Sequence, residues 1–73
     1  GHDVKTGNFL SMMPCAVIGG NAIIGDNVYL GSCSNIKEKI YIASDITIGM
    51  NAAVVTNLIS PGVYVGVPAK KIK

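Results

Sequence analysis

From Thr6 onward the chain repeats every six residues, and this period limits what it can fold into more than any other feature. Written in sixes it reads TGNFLS, MMPCAV, IGGNAI, IGDNVY, LGSCSN, IKEKIY, IASDIT, IGMNAA, VVTNLI. The first column runs Thr6, Met12, Ile18, Ile24, Leu30, Ile36, Ile42, Ile48, Val54, aliphatic or Met after the opening threonine. The fifth column holds only small or aliphatic residues, among them Leu10, Ala22, Val28, Ser34, Ile40 and Leu58. The second column carries Gly at 7, 19, 25, 31 and 49, and Gly1 falls in the same column one repeat earlier. Gly1-His2-Asp3 is therefore read as part of the repeat and not as a foreign leader.

A helix does not account for this pattern. A strict period of six drifts around a 3.6-residue helix, and each interior Gly weakens a helix by about 1 kcal/mol. The β-branched residues and the Gly-Asn and Asp-Asn pairs point instead to short strands and turns. Three sixes make one coil of a parallel β-helix with three flat faces. Thr6 to Ile23, Ile24 to Tyr41 and Ile42 to Ile59 are three such coils, and the whole is expected to make about four. First- and fifth-column side chains point inward. The residues between them turn the corner, where Gly and Asn tolerate φ > 0. Residues eighteen apart stack at about 4.8 Å, which puts Cys33 directly over Cys15. That spacing permits a disulfide, but free thiols are expected in a cytosolic chain. After Ile59 the repeat breaks at Ser60-Pro61-Gly62, leaving residues 60–73 as a C-terminal extension with a lysine tail.

Size and charge narrow the reading further. Seventy-three residues bury only a thin core, made without Trp and with 5% aromatic residues. Self-association, or membership of a longer chain, is expected. The unpaired edge of the first coil points the same way: the chain reads as a C-terminal piece of something longer. The net charge of +2 comes from Lys70, Lys71 and Lys73. Without them three lysines face four acids, a net of −1, which is no nucleic-acid footprint. No apolar run approaches a membrane span, and no signal peptide or N-glycosylation sequon occurs. Two cysteines and one histidine make neither a disulfide framework nor a metal centre. The compartment expected is the cytoplasm.

His2 is the single histidine and the natural general base at neutral pH. Asp3 follows it, and a neighbouring carboxylate orients such a ring and raises its basicity. The plainer alternative is a solvated histidine on a turn. Gly20 lies eighteen residues after His2, at the same corner one coil on. Its N–H either faces a ligand beside His2 or merely serves the turn. Pro14, Ser32 and Met50 line a second corner in the same way, a track that a long thin ligand could follow.

These residues carry a resemblance. Gly1-His2-Asp3-Val4-Lys5-Thr6-Gly7-Asn8-Phe9, Ala22-Ile23-Ile24-Gly25-Asp26-Asn27-Val28 and Gly62-Val63-Tyr64-Val65-Gly66-Val67-Pro68-Ala69-Lys70 resemble hexapeptide-repeat acyltransferases. Within them the chain looks like the sialic-acid O-acetyltransferase and nucleotide-aminosugar N-acetyltransferase group. The resemblance implies a left-handed β-helix, against the usual right-handed crossover. It implies a homotrimer with acetyl-CoA in grooves between adjacent helices, and no metal. His2 then matches the general base and Asp3 the acid behind it. Gly20 is the candidate oxyanion donor, and Ser32 and Met50 match corner positions that contact the donor. Lys70 or Lys71 is a candidate for its phosphates, from charge alone. Two positions depart from the family pattern. Ser11 stands where a second histidine often contacts acetyl-CoA, and Met50 stands where a small residue is usual. The family's upstream Rossmann-like domain and earlier coils are not represented in these residues.

The function expected from the resemblance is acetyl transfer to an amine or hydroxyl of a sugar or sugar nucleotide. Two alternatives stay open. One is an acetyltransferase for another small acceptor, such as serine. The other is a non-catalytic trimerising β-helix scaffold. The gamma-class carbonic anhydrases share the fold, but one histidine cannot supply three ligands.

Overall fold

The computed structural model describes residues 3–73, which form eleven short strands and no helix. Strands β1 (Lys5–Thr6), β2 (Ser11–Met12) and β3 (Val17–Ile18) make the first turn of a solenoid. The second turn holds β4 (Ile23–Ile24), β5 (Tyr29–Leu30) and β6 (Asn35–Ile36), and the third β7 (Tyr41–Ile42), β8 (Ile46–Ile48) and β9 (Ala53–Val54). Two more strands follow, β10 (Gly62–Val65) and β11 (Lys70–Lys71). Like strands of successive turns pair in parallel, giving faces β1-β4-β7, β2-β5-β8-β10 and β3-β6-β9. The solenoid thus makes about three turns, and the second face has a fourth parallel rung. The register is the expected one through most of the molecule: Lys5 pairs with Ile23, Ser11 with Tyr29 and Val17 with Asn35.

The two inward columns are where the period places them. Ile24, Leu30, Ile42 and Ile48 of the first column are almost wholly buried, as are Ala22, Val28, Ile46 and Ala52 of the fifth. Burial fails only in the first turn, where Met12 is 44% exposed and Leu10 and Ala16 are half-buried. No rung among the described residues covers that end, and an open apolar depression of about 470 Å³ remains, with Leu10, Met12 and Ile18 on its walls.

The corners differ from the expectation. Left-handed backbone in the repeat belongs to the fourth column and not to the column-two glycines. Asp3, Phe9, Cys15, Asn21, Asn27, Cys33, Lys39, Asp45 and Asn51 all have φ between 57° and 64°. Asn and Asp tolerate this conformation best, yet Phe, Cys and Lys also occupy it. The column-two glycines have a different reason: the next rung passes too close for a side chain. A Cβ on Gly25 would lie 2.6 Å from the backbone nitrogen of Ser44. Corner hydrogen bonds repeat with the turns, as when the Cys33 N–H donates to the Pro14 carbonyl at 3.0 Å and the Asn51 N–H to that of Ser32 at 2.9 Å. At the corner between the first two faces, side chains join in. The Asn8 N–H donates to Asp26 Oδ1 at 2.8 Å, and the Asp26 N–H to Ser44 Oγ at 2.9 Å.

The last turn is two residues short. Leu58 bridges to Ile42, and Tyr64 pairs with Ile48, a step of sixteen and not eighteen. The slip falls between Val54 and Leu58, where Asn57 Oδ1 accepts the Tyr41 N–H at 2.9 Å in place of a backbone carbonyl. The parallel ladder therefore continues beyond Ile59 into β10, and the expected extension is partly coil. Tyr64 is buried in the first-column line, with its hydroxyl donating to the Ser60 carbonyl at 2.7 Å. The lysine tail is not free either: β11 folds back antiparallel on β10, pairing Lys70 with Val65 and Lys71 with Tyr64.

One core residue is polar. Ser34 is fully buried in the fifth column, in line with Ala16 and Ala52, and its hydroxyl has no hydrogen-bond partner. A buried unsatisfied hydroxyl costs about 1–3 kcal/mol. Ser34→Ala is expected to raise stability by about 1 kcal/mol in urea denaturation, and a loss of stability would contradict the unpaired state of that hydroxyl.

Candidate active site

The candidate residues divide between two corners and one face. Asp3 and Gly20 share the corner that joins the third face to the first. Asp3 is exposed, at the left-handed position that Asn21 repeats one turn later. Asp3, Val4, Lys5, Asn21 and Ile23 line an open depression of about 550 Å³ there. His2 lies outside the described residues. The Gly20 carbonyl accepts the Lys39 N–H at 2.9 Å. Glu38 follows Gly20 by eighteen residues. Its carboxyl is held below the usual carboxylate range by its own backbone amide first, then by Lys37, whose Nζ lies 3.1 Å away. This corner therefore presents a polar rim on which Asp3 and Glu38 stand beside Lys5 and Lys37.

Ser32 and Met50 share the next corner, joining the second face to the third. Ser32 is half-buried and Met50 is 71% exposed. The Ser32 N–H is unpaired among the described residues, and its carbonyl is occupied by Asn51. Small residues keep this corner open, and Met50 projects from it as a flexible apolar arm. Ser11 and Lys70 lie on the second face at opposite edges, β2 and β11. Four strand spacings, about 19 Å, separate those edges, so the two cannot hold the same group. Asn21 and Glu38 did not stand out in the sequence, although each follows a candidate by eighteen residues.

No three of the His, Cys, Asp and Glu side chains converge among the described residues. Among the described residues no helix is long and apolar enough to cross a membrane.

No family model matches the chain. Over 66 residues it is 32% identical to the UDP-3-O-acylglucosamine N-acyltransferase of Bordetella pertussis, covering 90% of this chain and 18% of that protein. The chain thus spans about a fifth of the curated relative's length. The acetyltransferase domain of PglB from Neisseria gonorrhoeae superposes over 97% of this chain and 35% of its own with a TM-score of 0.93 and 27% identity. Another structure of that domain is a complex with acetyl coenzyme A. The serine acetyltransferase of the same organism, in complex with serine, superposes over 92% of this chain and 39% of its own with a TM-score of 0.64 and 28% identity. Repeat, register and neighbours agree: the chain carries the left-handed β-helix of the hexapeptide-repeat acyltransferases, with acyl- and acetyltransferases as its relatives.

Proposed function

We propose that the chain forms part of an acetyl-CoA-dependent acetyltransferase acting on an amine or hydroxyl of a sugar or sugar nucleotide. The observation that carries this reading is the match of nearly the whole chain to the gonococcal acetyltransferase domain, at a TM-score of 0.93. His2 takes the proton from the acceptor as its nitrogen or oxygen attacks the thioester carbonyl. Asp3 holds the imidazole in position and stabilises its protonated form. The Gly20 N–H, at the same corner, donates to the oxyanion of the tetrahedral intermediate. Collapse expels the thiolate of coenzyme A, which takes up the proton that His2 carried.

The donor runs along the Ser32 and Met50 corner, using its unpaired N–H and apolar arm. In a single chain that corner and the Asp3–Gly20 corner belong to different edges of the solenoid. A homotrimer, in which one helix offers the first corner and its neighbour the second, brings them together. Ser11 lines the N-terminal end of that groove, and Lys70 serves the phosphates at the other.

The test is thiol release from acetyl-CoA with an amino-sugar nucleotide as acceptor. His2→Ala is expected to lower kcat about 10²–10⁴-fold, with calorimetric binding of acetyl-CoA retained. Unchanged turnover would remove His2 from the mechanism. A second reading has its own support in the serine acetyltransferase likeness at 28% identity: L-serine as acceptor, distinguished by running both acceptors side by side. Failure of the chain to bind acetyl-CoA at all would favour a scaffold role.

A further inference from the structure

We propose that Cys15 and Cys33 are a reversible thiol–disulfide pair, a modification site for disulfide oxidants that fastens the first turn of the solenoid to the second. Both cysteines are free and exposed. Both occupy the left-handed corner position, with φ of 64° and 59°. Two residues beyond each, Val17 pairs in register with Asn35, and the Cys33 N–H donates to the Pro14 carbonyl. Equal backbone conformation in equal register makes the two Cα–Cβ bonds parallel, one rung apart.

A rung spacing of about 4.8 Å falls within the Cα separation of about 4.4–6.8 Å that disulfides span. Parallel bonds leave the Cβ atoms at nearly that same spacing, slightly beyond the usual range of about 3.5–4.5 Å. Closure therefore draws two rungs together by a few tenths of an ångström. A bond strained in this way is readily reduced, as regulatory disulfides are.

Hydrogen bonding to Cys15, then partial desolvation and repulsion by a Cys15 thiolate, push the Cys33 thiol above its ordinary pKa. Either sulfur can attack first, and the exchange balances the same way. When Cys15 attacks, its thiolate displaces one thiolate from a disulfide oxidant, giving a mixed disulfide. The Cys33 sulfur, losing its proton to solvent, then attacks the Cys15 sulfur and expels the oxidant's second half. Two thiols give up two protons and two electrons, and the oxidant's S–S bond takes them up as two thiols.

The bond acts where the fold is weakest. The first turn has its outer side uncovered, with Thr6 and Met12 exposed in a column that is buried from Ile18 onward. Tethering residue 15 to residue 33 closes a loop that contains β3, β4 and β5, and so restricts the unfolded state of the segment on which the uncovered first turn rests.

The experiment treats the purified chain with glutathione disulfide, blocks remaining thiols with iodoacetamide and reads the mass. The expected product has lost two hydrogen atoms and carries neither glutathione nor the blocking group. It runs as a single chain on a denaturing non-reducing gel, reverts with dithiothreitol and melts about 10 °C or more above the reduced form. Cys33→Ser is expected to stall with glutathione on Cys15. Stable glutathione adducts on the unsubstituted chain, disulfides only between chains, or two thiols still open to iodoacetamide would each overturn the proposal.

Discussion

Gly31→Val is expected to leave the chain without a cooperative unfolding transition. Gly31 is buried in the second column at the middle of the solenoid. A Cβ there would lie 2.6 Å from the Met50 nitrogen, 2.8 Å from the Gly49 carbonyl carbon and 2.9 Å from the Ile48 oxygen. All three atoms are backbone of the next rung, and that rung is pinned by the Gly31 N–H bonding Ile48 O at 2.8 Å. No side chain can swing aside, so the rungs must separate and their ladder must break. The cost expected is above about 4 kcal/mol, against a total stability of about 5–15 kcal/mol for ordinary domains. Gly49→Ala is the matched control, because its Cβ meets the Val65 Cγ1 at 2.8 Å, a side chain that can move. Circular dichroism through a urea titration distinguishes them: Gly49→Ala keeps a transition and Gly31→Val does not. A Gly31→Val chain that melts close to the parent would refute the close approach of the rungs.

The second large effect separates a residue's column from its place in the stack. Leu30 and Met12 are both first-column residues one rung apart, paired in register. Leu30 is fully buried between Met12 and Ile48, whereas Met12 is 44% exposed at the open end. Leu30→Ala is expected to cost about 3–4 kcal/mol through lost burial and a cavity that the rungs above and below prevent from collapsing. Met12→Ala is expected to cost less than about 1 kcal/mol, since a half-wet side chain leaves no enclosed void. Chemical denaturation of the two variants reads the difference directly. Equal losses would mean that the first turn is covered in solution.

The fold was legible because a solenoid writes its geometry into its period. Ile24, Leu30 and Ile36 recur every six residues because each faces the same axis, and eighteen residues return the chain to the same face. The corners were less legible. Glycine suggests positive φ by its chemistry, yet Gly25 is required by the passage of Ser44, a neighbour that sequence order does not reveal. The residues that do adopt positive φ include Phe9 and Lys39, which nothing in their chemistry marks out. The short last turn was hidden for a related reason: Leu58 is apolar and fits the expected fifth column as well as the line of Ile42 that it occupies. The candidate site depended on resemblance for its residue roles. Position along the chain places Gly20 beside Asp3 and Ser32 beside Met50, but the proposed groove between copies would join residues that no period within one chain relates.

The reversal at β11 has a consequence for growth. A stack of parallel rungs presents open peptide groups at both ends, and stacks whose ends are complementary can join head to tail without limit. Here the last parallel strand is covered by a strand running the other way, held by Ile72 N–H to Val63 O at 2.8 Å and carrying Lys70 and Lys71 on its exposed surface. An incoming first turn would meet reversed polarity and like-charged ammonium groups in place of a matching rung. On that face the ladder of fibre-like parts ends in a strand that offers an incoming turn no matching rung.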